Sequence, residues 1–441
     1  MSRFHSFKQV SVIGLGYIGL PTAAAFASSG LKVVGVDVNP RTVEIINRGG
    51  IHILEPGLDK AVRTAVERGQ LRATLVPEPA DAFLIAVPTP FKGTDHEPDL
   101  SYIEAASRSI APVLKPGDLV VLESTSPVGA TEQMAEWLAA ARPDLSFPHQ
   151  SGRDSDIRIA HCPERVLPGQ VMKELVSNDR IIGGMTDACA AMAKALYQTF
   201  VEGECIETDA RTAEMCKLAE NAYRDLNIAY ANELSLICDR KGIDVWKLIQ
   251  LANRHPRVNI LQPGAGVGGH CIAVDPWFIV AGAPDISPLI RTARNVNDAK
   301  PEWVIEKVRE TAEHFSRIHG GKSPVIAALG LTFKPDIDDT RESPALHIAS
   351  SLYRDFGGRV MAVEPHVPSL SGSLADCRHA ELHEALNEAD ILVILVKHAA
   401  FRALVETPLR PGQQIVDAAG LLASDVIAQQ VEKPILKAVN V

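Results

Sequence analysis

A strand that runs directly into a glycine-rich turn and then a helix constrains the fold of this chain most. The apolar run Val10–Ile13 is followed by Gly14-Leu-Gly16-Tyr-Ile-Gly19 and an alanine-rich stretch. Gly14 would permit the tight turn, Gly16 would let the backbone approach a pyrophosphate, and Gly19 would let the helix pack closely on the strand. The sequence therefore predicts a dinucleotide-binding βαβ unit near the N-terminus.

Asp37 completes this pattern at the end of the second apolar run, roughly 20 residues beyond the glycines. A carboxylate at this place accepts hydrogen bonds from an adenosine ribose and repels a 2′-phosphate. We therefore expect NAD as the cofactor. Arg41, close behind Asp37, has the charge that a 2′-phosphate would prefer, so NADP stays open as the alternative.

Two further loops follow predicted strands, Val87-Pro-Thr89-Pro90 and Glu123-Ser-Thr125-Ser-Pro127. Ligands in doubly wound sheets bind just past the carboxyl ends of strands, so Thr89 and Thr125 could line the nicotinamide site. Proline, serine and threonine are also ordinary turn residues. Spacing alone leaves both interpretations open.

The order of the elements predicts an α/β protein with two Rossmann-like parallel-sheet domains joined by a central helical domain. Short β-branched runs alternate with helical stretches up to about residue 200, and Thr212 to Lys241 then reads as one long helix. More helical stretches follow at Val245–Asn253, Pro288–Asn297 and Glu302–Glu313, and new strands begin after Gly320-Gly321. We predict an NAD-binding domain over residues 1–205, a helical domain with a catalytic loop over 206–318, and a second α/β domain over 319–441.

Composition excludes several classes of protein. The chain has 441 residues, 46% hydrophobic and 22% charged, which suits a soluble globular protein of more than one domain. Its net charge of −10 and the lack of a basic run argue against nucleic acid as a partner. No apolar run is long enough for a membrane span and no signal peptide is evident, so we expect a cytoplasmic protein. Seven cysteines without a CxxC pair indicate reduced thiols and no metal site.

Cys271 follows a loop with four glycines at positions 264, 266, 268 and 269. Such a backbone can come close to a substrate, and a thiol there can act as a nucleophile if cationic groups stabilise the thiolate. A small buried hydrophobe is the alternative for a lone cysteine. Lys217, Asn221 and Arg224 share one face of the long helix, and they could polarise an oxygen and hold phosphate or form a solvated stripe.

Seven motifs occur in order across almost the whole chain: GLGYIGLP, VPTP, ESTSPVG, CPERVLPG, AEMCKLAENAYRD, GVGGHCIAVDP and FKPDIDDTRESPA. Together they resemble the UDP-glucose/GDP-mannose dehydrogenase family. The HCIAVDPWF and RHPRVNILQPG segments resemble members that oxidise UDP-N-acetyl-D-mannosamine for surface polysaccharides such as enterobacterial common antigen or capsule. The resemblance implies a four-electron, NAD-dependent oxidation at C6 of a UDP-N-acetylhexosamine by a homodimer.

The resemblance also implies roles for individual residues. Cys271 matches the nucleophile, Lys217 the catalytic lysine with Asn221 beside it, Asp275 a residue that positions water, and Glu164 an acid of the hydrolytic step. The implied cofactor contacts are Tyr17, Ile18, Asp37, Arg41, Thr89, Thr125 and Arg341. The implied substrate contacts are Arg165, Val166, Lys217, Asn221, Arg224, His255, Arg257, Gly268, Phe333 and Lys334.

Two positions depart from the family pattern. Pro168 stands where UDP-glucose members have a second acid, and Val274 stands where they have a lysine. These departures fit the N-acetylhexosamine branch and leave the epimer at C2 open, so UDP-GlcNAc and UDP-glucose stay as alternative substrates. A two-electron dehydrogenase of the hydroxyacid or 6-phosphogluconate kind, and a non-catalytic nucleotide-sugar binding protein, are the rival functions. The long helix could equally pack within the chain instead of forming a dimer.

Overall fold

The computed structural model describes residues 7–93, 96–167, 169–269, 271–422 and 439–440. Internal contacts divide the chain into two compact units. The first comprises Met1–Glu220 and Ala281–Ala283, and the second comprises Asn221–Val280 and Pro284–Val441. The three predicted domain ranges stay predictions.

The first unit is built on an eight-stranded sheet and carries a short hairpin beside it. In chain order the strands are β1 (Gln9–Ile13), β2 (Lys32–Val36), β3 (Leu71–Thr74), β4 (Ala82–Ile85), the hairpin strands β5 (Phe91–Lys92) and β6 (Glu97–Pro98), β7 (Leu119–Leu122), β8 (Arg158–His161), β9 (Arg180–Gly184) and β10 (Cys205–Asp209).

The helices of this unit are α1 (Gly19–Ser28), α2 (Pro40–Asn47), α3 (Leu58–Glu67), α4 (Ser101–Ile110), α5 (Ala130–Ala141), α6 (Pro148–Ser151), α7 (Val171–Ser177) and α8 (Asp187–Tyr197). The helix α9 (Ala210–Lys241) begins here and continues into the second unit.

Strand order in the eight-stranded sheet is β10-β9-β8-β7-β4-β1-β2-β3, and among the pairs described within this sheet only β8–β9 is antiparallel. The chain runs outward from β1 in one direction through β2 and in the other through β4. This change of direction creates a crevice at the carboxyl ends of β1 and β4, which is where ligands bind in such sheets. Alternate strand residues are buried on the two faces, with Val12 in one apolar cluster and Ile13 in the other.

The second unit combines helices with a six-stranded sheet. Its further helices are α10 (Val245–Ala252), α11 (Asp275–Gly282), α12 (Pro288–Ile318), α13 (Pro344–Phe356) and α14 (Leu382–Glu388). Its strands are β11 (Ile326–Leu329), β12 (Val360–Val363), β13 (Arg378–His379), β14 (Ile391–Ile394), β15 (Gln414–Asp417) and β16 (Val439–Asn440), in the order β13-β12-β11-β14-β15-β16 and all parallel.

The predicted fold class is confirmed, because parallel sheets occupy the N-terminal and C-terminal parts of the chain and helices lie between them. One expectation differs from the structure. The stretches Pro288–Asn297 and Glu302–Glu313 belong to a single helix, α12, which passes through Pro301. Proline cannot donate to the carbonyl one turn earlier, but Pro301 is buried and lies close to Gly266, so tertiary packing maintains the helix. No helix of the described residues has the length and apolarity that crossing a membrane requires.

Candidate active site

The glycine turn after β1 has the geometry that a bound dinucleotide requires. Gly14 has φ +89° and its amide donates to the Val36 carbonyl at 2.8 Å. A Cβ on Gly14 would lie 2.6 Å from the Ala86 carbonyl oxygen, and one on Gly19 would lie 1.8 Å from the Gly14 carbonyl oxygen. A Cβ on Gly16, in contrast, would meet no described atom within 4 Å. The turn and the helix contact thus need glycine, and at Gly16 the backbone faces open space into which a pyrophosphate would fit.

Asp37 lies directly after β2 and is half-buried. Its two carboxylate oxygens accept hydrogen bonds from the amides of Leu15 at 3.0 Å and Asn39 at 2.9 Å. These bonds fix the carboxylate at the edge of the glycine turn, where it can accept further hydrogen bonds from a ribose. Tyr17 and Arg41 are exposed and Ile18 is half-buried at the start of α1.

The loops after β4 and β7 lie side by side, since these two strands are parallel neighbours. The Ser124 hydroxyl donates to the Val87 carbonyl at 2.7 Å and so ties the loops together. Thr125 is half-buried, and the Thr89 hydroxyl oxygen is buried with no hydrogen-bond partner within the part of the chain that the structure describes. A buried hydroxyl of this kind at the carboxyl end of β4 fits a contact with the nicotinamide part of NAD.

Lys217 and Glu164 come together in the first unit. The Lys217 ammonium donates to the backbone carbonyl of Glu164 at 2.5 Å. The Glu164 carboxylate is buried, accepts the Arg165 amide at 2.6 Å, and lies 3.1 Å from the guanidinium of Arg180. The Arg165 side chain forms an ion pair with Glu220 at 2.8 Å. The lysine and the acid implied by the resemblance are therefore neighbours, and Arg180 is a partner that no sequence pattern indicated.

Asn221 and Asp275 come together in the second unit. Both are buried, and the Asn221 amide donates to the Asp275 carboxylate. Asp275 is the first residue of α11, and its backbone amide donates to the Cys271 carbonyl at 2.9 Å. Cys271 is exposed, whereas Cys162, Cys189, Cys205, Cys238 and Cys377 are buried. The exposed thiol and the held carboxylate are thus separated by one turn of backbone.

The glycines before Cys271 pack against the loop between β11 and α13. A Cβ on Gly268 would lie 2.4 Å from the Glu342 carbonyl oxygen, and one on Gly269, which has φ +81°, would lie 2.9 Å from the Phe333 ring. Glycine is therefore needed at these two positions to let the Phe333 loop approach. The sequence predicts that these glycines let the backbone approach a substrate. Of the four, only Gly264 would carry a Cβ with no described atom nearer than 4.0 Å.

The remaining substrate positions lie at accessible places. Arg224, His255 and Arg257 are exposed, and Val166 and Lys334 are half-buried. Arg341 is half-exposed and forms an ion pair with Asp339 at 2.6 Å. His270 and Pro168 lie outside the described residues.

The second sheet repeats the turn of the first one. Gly330 follows β11 with φ +91°, and its amide donates to the Val363 carbonyl at 2.8 Å, as the Gly14 amide does to Val36. The next amide, of Leu331, donates to the Glu364 carboxylate at 2.7 Å, as the Leu15 amide does to Asp37. In this copy the same carboxylate oxygen also lies 3.2 Å from Nε2 of the fully buried His398.

A group of possible metal ligands, Asp336, His366 and His398, lies next to this second turn, with its ligand atoms within 4.8 Å of one another. Both ring nitrogens of His398 already have protein partners, since Nδ1 accepts the Asp336 amide at 3.0 Å and Nε2 faces Glu364. The group therefore acts as a hydrogen-bonded brace between β14 and the loop after β11.

A dinucleotide turn with an acid directly after β2, at the crevice of a doubly wound sheet, is typical of a dehydrogenase with NAD as its cofactor. Comparison with known proteins places it more closely. Three models of the UDP-glucose/GDP-mannose dehydrogenase family match the chain: the NAD binding domain over residues 8–201, the central domain over 211–299 and the UDP binding domain over 327–424. The chain belongs to the UDP-glucose/GDP-mannose dehydrogenase family and oxidises a nucleotide sugar with NAD.

Similar proteins cover almost the full chain. A UDP-N-acetyl-D-mannosamine dehydrogenase from Yersinia pestis is 62% identical over 94% of this chain and 99% of its own length. An NDP-N-acetyl-D-galactosaminuronic acid dehydrogenase from Ralstonia nicotianae is 61% identical over 96% and 98% of the two chains. Among solved structures, a UDP-D-ManNAc dehydrogenase from Pyrococcus horikoshii is 39% identical with a TM-score of 0.83, covering 94% of this chain and 96% of that one.

Proposed function

We propose that this protein oxidises C6 of UDP-N-acetyl-D-mannosamine twice and releases UDP-N-acetyl-D-mannosaminuronate. NAD, when bound, accepts one hydride from C6 in each oxidation. The observation that carries the proposal is the exposed Cys271 thiol one turn before Asp275, whose carboxylate is held by Asn221. A two-electron dehydrogenase would have no use for such a thiol.

In the proposed sequence the first oxidation turns the C6 alcohol into an aldehyde, and the alcohol proton passes to a base. Lys217 takes this role: its neutral amine accepts the alcohol proton, and the ammonium so formed, held at the Glu164 carbonyl, can stabilise an oxyanion in the next step. The Cys271 sulfur then adds to the aldehyde carbon, which gives a thiohemiacetal. The second oxidation converts this adduct to a thioester.

Water closes the cycle by attacking the thioester carbonyl, which breaks the C–S bond and releases the carboxylate and the Cys271 thiol. Glu164 accepts the proton of the attacking water, and Asp275 with Asn221 orients that water. The half-buried Lys334 and the exposed Arg224 supply positive charge for the UDP phosphates. Each substrate therefore consumes two NAD and one water.

The test is a panel of UDP-ManNAc, UDP-GalNAc, UDP-GlcNAc, UDP-glucose and GDP-mannose with NAD, measuring NADH and uronate together. We expect UDP-ManNAc to give the highest kcat/KM, with two NADH per uronate and no accumulating aldehyde. The Ralstonia nicotianae relative favours an N-acetylgalactosamine nucleotide as the second candidate. A ratio of one NADH per substrate would contradict the four-electron proposal.

We also propose a homodimer that uses α9. Tyr223, Tyr230 and Ile237 recur every seven residues on this helix and are 70%, 54% and 48% exposed. Large apolar side chains in a helical stripe favour a partner helix. Analytical ultracentrifugation should show a dimer for the native chain and a monomer for Tyr230→Asp.

We place the enzyme in the cytoplasm, in surface polysaccharide synthesis, because its two substrates are cytoplasmic metabolites. Cell fractionation tests that location.

A further inference from the structure

Beneath the loops after β7 and β8 lies a buried polar cluster that the proposed chemistry does not use. Glu123, the first residue after β7, is 1% exposed. Tyr197, the last residue of α8, is fully buried and its hydroxyl donates to Oε1 of Glu123 at 2.6 Å. Both residues thus belong to the interior of the first unit.

Arg180, the first residue of β9, connects this pair to Glu164. Its guanidinium is 4% exposed and lies 3.1 Å from the Glu164 carboxylate. The same guanidinium stacks over the rings of Tyr197 at 5.2 Å and Phe200 at 5.9 Å. Arg180 therefore has one position, fixed by two aromatic rings, from which it holds the Glu164 carboxylate.

Two carboxylates compete for this one cation. Arg180 attracts Glu123 electrostatically, Glu164 repels it, and the Tyr197 hydroxyl donates to it. The Cys162 thiol also faces the cluster, and burial raises its pKa to about 12, so it stays neutral. Burial raises the pKa of Glu123 to about 7, against the opposing effects of Arg180 and Tyr197. The charge of the cluster therefore changes within the physiological pH range.

This arrangement is not explained by stability. Buried ion pairs are often no better than apolar side chains of the same volume, and an additional buried acid adds a desolvation cost. Within the described residues, Oε2 of Glu123 and one terminal nitrogen of Arg180 are buried without a hydrogen-bond partner. Unsatisfied polar atoms next to an acid of the reaction point to a functional reason for the cluster.

We propose that Arg180, Tyr197 and Glu123 are positioning residues for Glu164, and that the charge of Glu123 sets how readily the Glu164 carboxylate accepts a proton during thioester hydrolysis. When Glu123 is neutral, Arg180 interacts with Glu164 alone and weakens it as a base. When Glu123 is ionised, its negative charge competes for Arg180, and Glu164 becomes the stronger proton acceptor. The inference rests on the proposed function, in which Glu164 takes the proton of the attacking water.

The experiment compares the wild-type enzyme with Glu123→Gln and Tyr197→Phe between pH 6 and pH 9. Single-turnover mass spectrometry with UDP-ManNAc and NAD measures the decay of the Cys271 thioester, and NADH absorbance measures the hydride steps separately. In the wild type we expect thioester decay to rise on the order of tenfold through about pH 7. The glutamine of Glu123→Gln carries no charge at any pH. Thioester decay in this variant should therefore not rise through pH 7, while the rates of its hydride steps should depend on pH as they do in the wild type.

Tyr197→Phe should shift the pH at which thioester decay rises, whereas Glu123→Gln should abolish the rise. Because the hydroxyl stabilises ionised Glu123, its removal should move the midpoint of the rise upward by about one pH unit, the value of one hydrogen bond to a charged group. Glu67→Gln and Tyr102→Phe, at exposed positions, are matched controls that should behave as the wild type does. Urea unfolding checks each variant, and Tyr197→Phe decides the matter if Glu123→Gln does not fold.

A Glu123→Gln variant that keeps the full rise, or a Tyr197→Phe variant with an unmoved midpoint, would overturn the inference. Failure of the proposed function has a different signature. It would show in the wild type as one NADH per substrate and no thioester mass, and the inference would then fall with it.

Discussion

Asn232 should anchor the cysteine loop from within α9. This residue is fully buried, its amide donates to the Asn297 side chain on α12 at 2.8 Å, and its carbonyl oxygen accepts the Gly264 backbone amide at 2.9 Å. Asn232→Ala removes both bonds at once. The Asn297 oxygen, which is buried, would lose a partner at a cost of about 1–3 kcal/mol, and the half-buried Gly264 amide would add about 1 kcal/mol.

We therefore expect Asn232→Ala to lower the free energy of unfolding by about 2–4 kcal/mol, measured by urea titration with circular dichroism at an unchanged m value. Since the free energy of unfolding of a typical domain is about 5–15 kcal/mol, the variant should still fold. Uronate formation should fall as well, because Gly264 begins the loop that carries Cys271. Asn227→Ala is the matched control, since its amide reaches only the Tyr223 carbonyl one turn back on the same helix, and it should change stability by less than about 0.5 kcal/mol. A value for Asn232→Ala no larger than that of the control would refute the reasoning.

Three further predictions concern the chemistry and the helical part of the chain. Cys271→Ala should bind NAD and UDP-sugar yet form no uronate, and Cys271→Ser should do little better; appreciable uronate from Cys271→Ala would exclude the thiohemiacetal route. Asp37→Ala should impair kcat/KM for NAD far more than for NADP, and an equal loss with both cofactors would contradict the role of Asp37. Burial lowers the pKa of Lys300 to about 7, so the unfolded chain binds more protons between about pH 7 and pH 10.5, and this residue makes stability rise with pH across that window. Lys300→Met should remove that slope and stabilise the protein most below pH 7, and unfolding curves with an unchanged pH slope would show that Lys300 stays charged.

The sequence predicted the features that depend on local patterning. The glycine turn, Asp37 after β2, the long helix and the second set of strands all follow from periodicity and turn chemistry, and each appears in the structure. The short strands β8 and β10 were not predicted, because their sequences contain few apolar residues and these are mixed with polar ones. The break expected in α12 followed from the properties of proline, and packing around Pro301 overrides it.

The buried polar partners could not be predicted in the same way. Arg180 lies 16 residues after Glu164, and Tyr197 lies 74 residues after Glu123, so no local spacing relates them. A charged residue at the start of a strand is usually at the surface, and Arg180 is buried only because two rings and two carboxylates surround it. Roles for Cys271, Lys217 and Glu164 came from the resemblance, and the structure adds the contacts that support them.

The repeated turn gives this chain an internal comparison between an open nucleotide cradle and a sealed one. In the second copy, Thr332 stands at the place of Gly16. The His398 ring nitrogen Nε2 lies 3.2 Å from the Glu364 carboxylate, at the position from which a ribose would otherwise approach it. An acid after the second strand of a βαβ unit is therefore insufficient evidence for a dinucleotide, because the protein can supply an imidazole of its own to that acid. A design that adds a second dinucleotide site to this sheet would therefore first have to replace His398, so that the Glu364 carboxylate becomes available to a ribose.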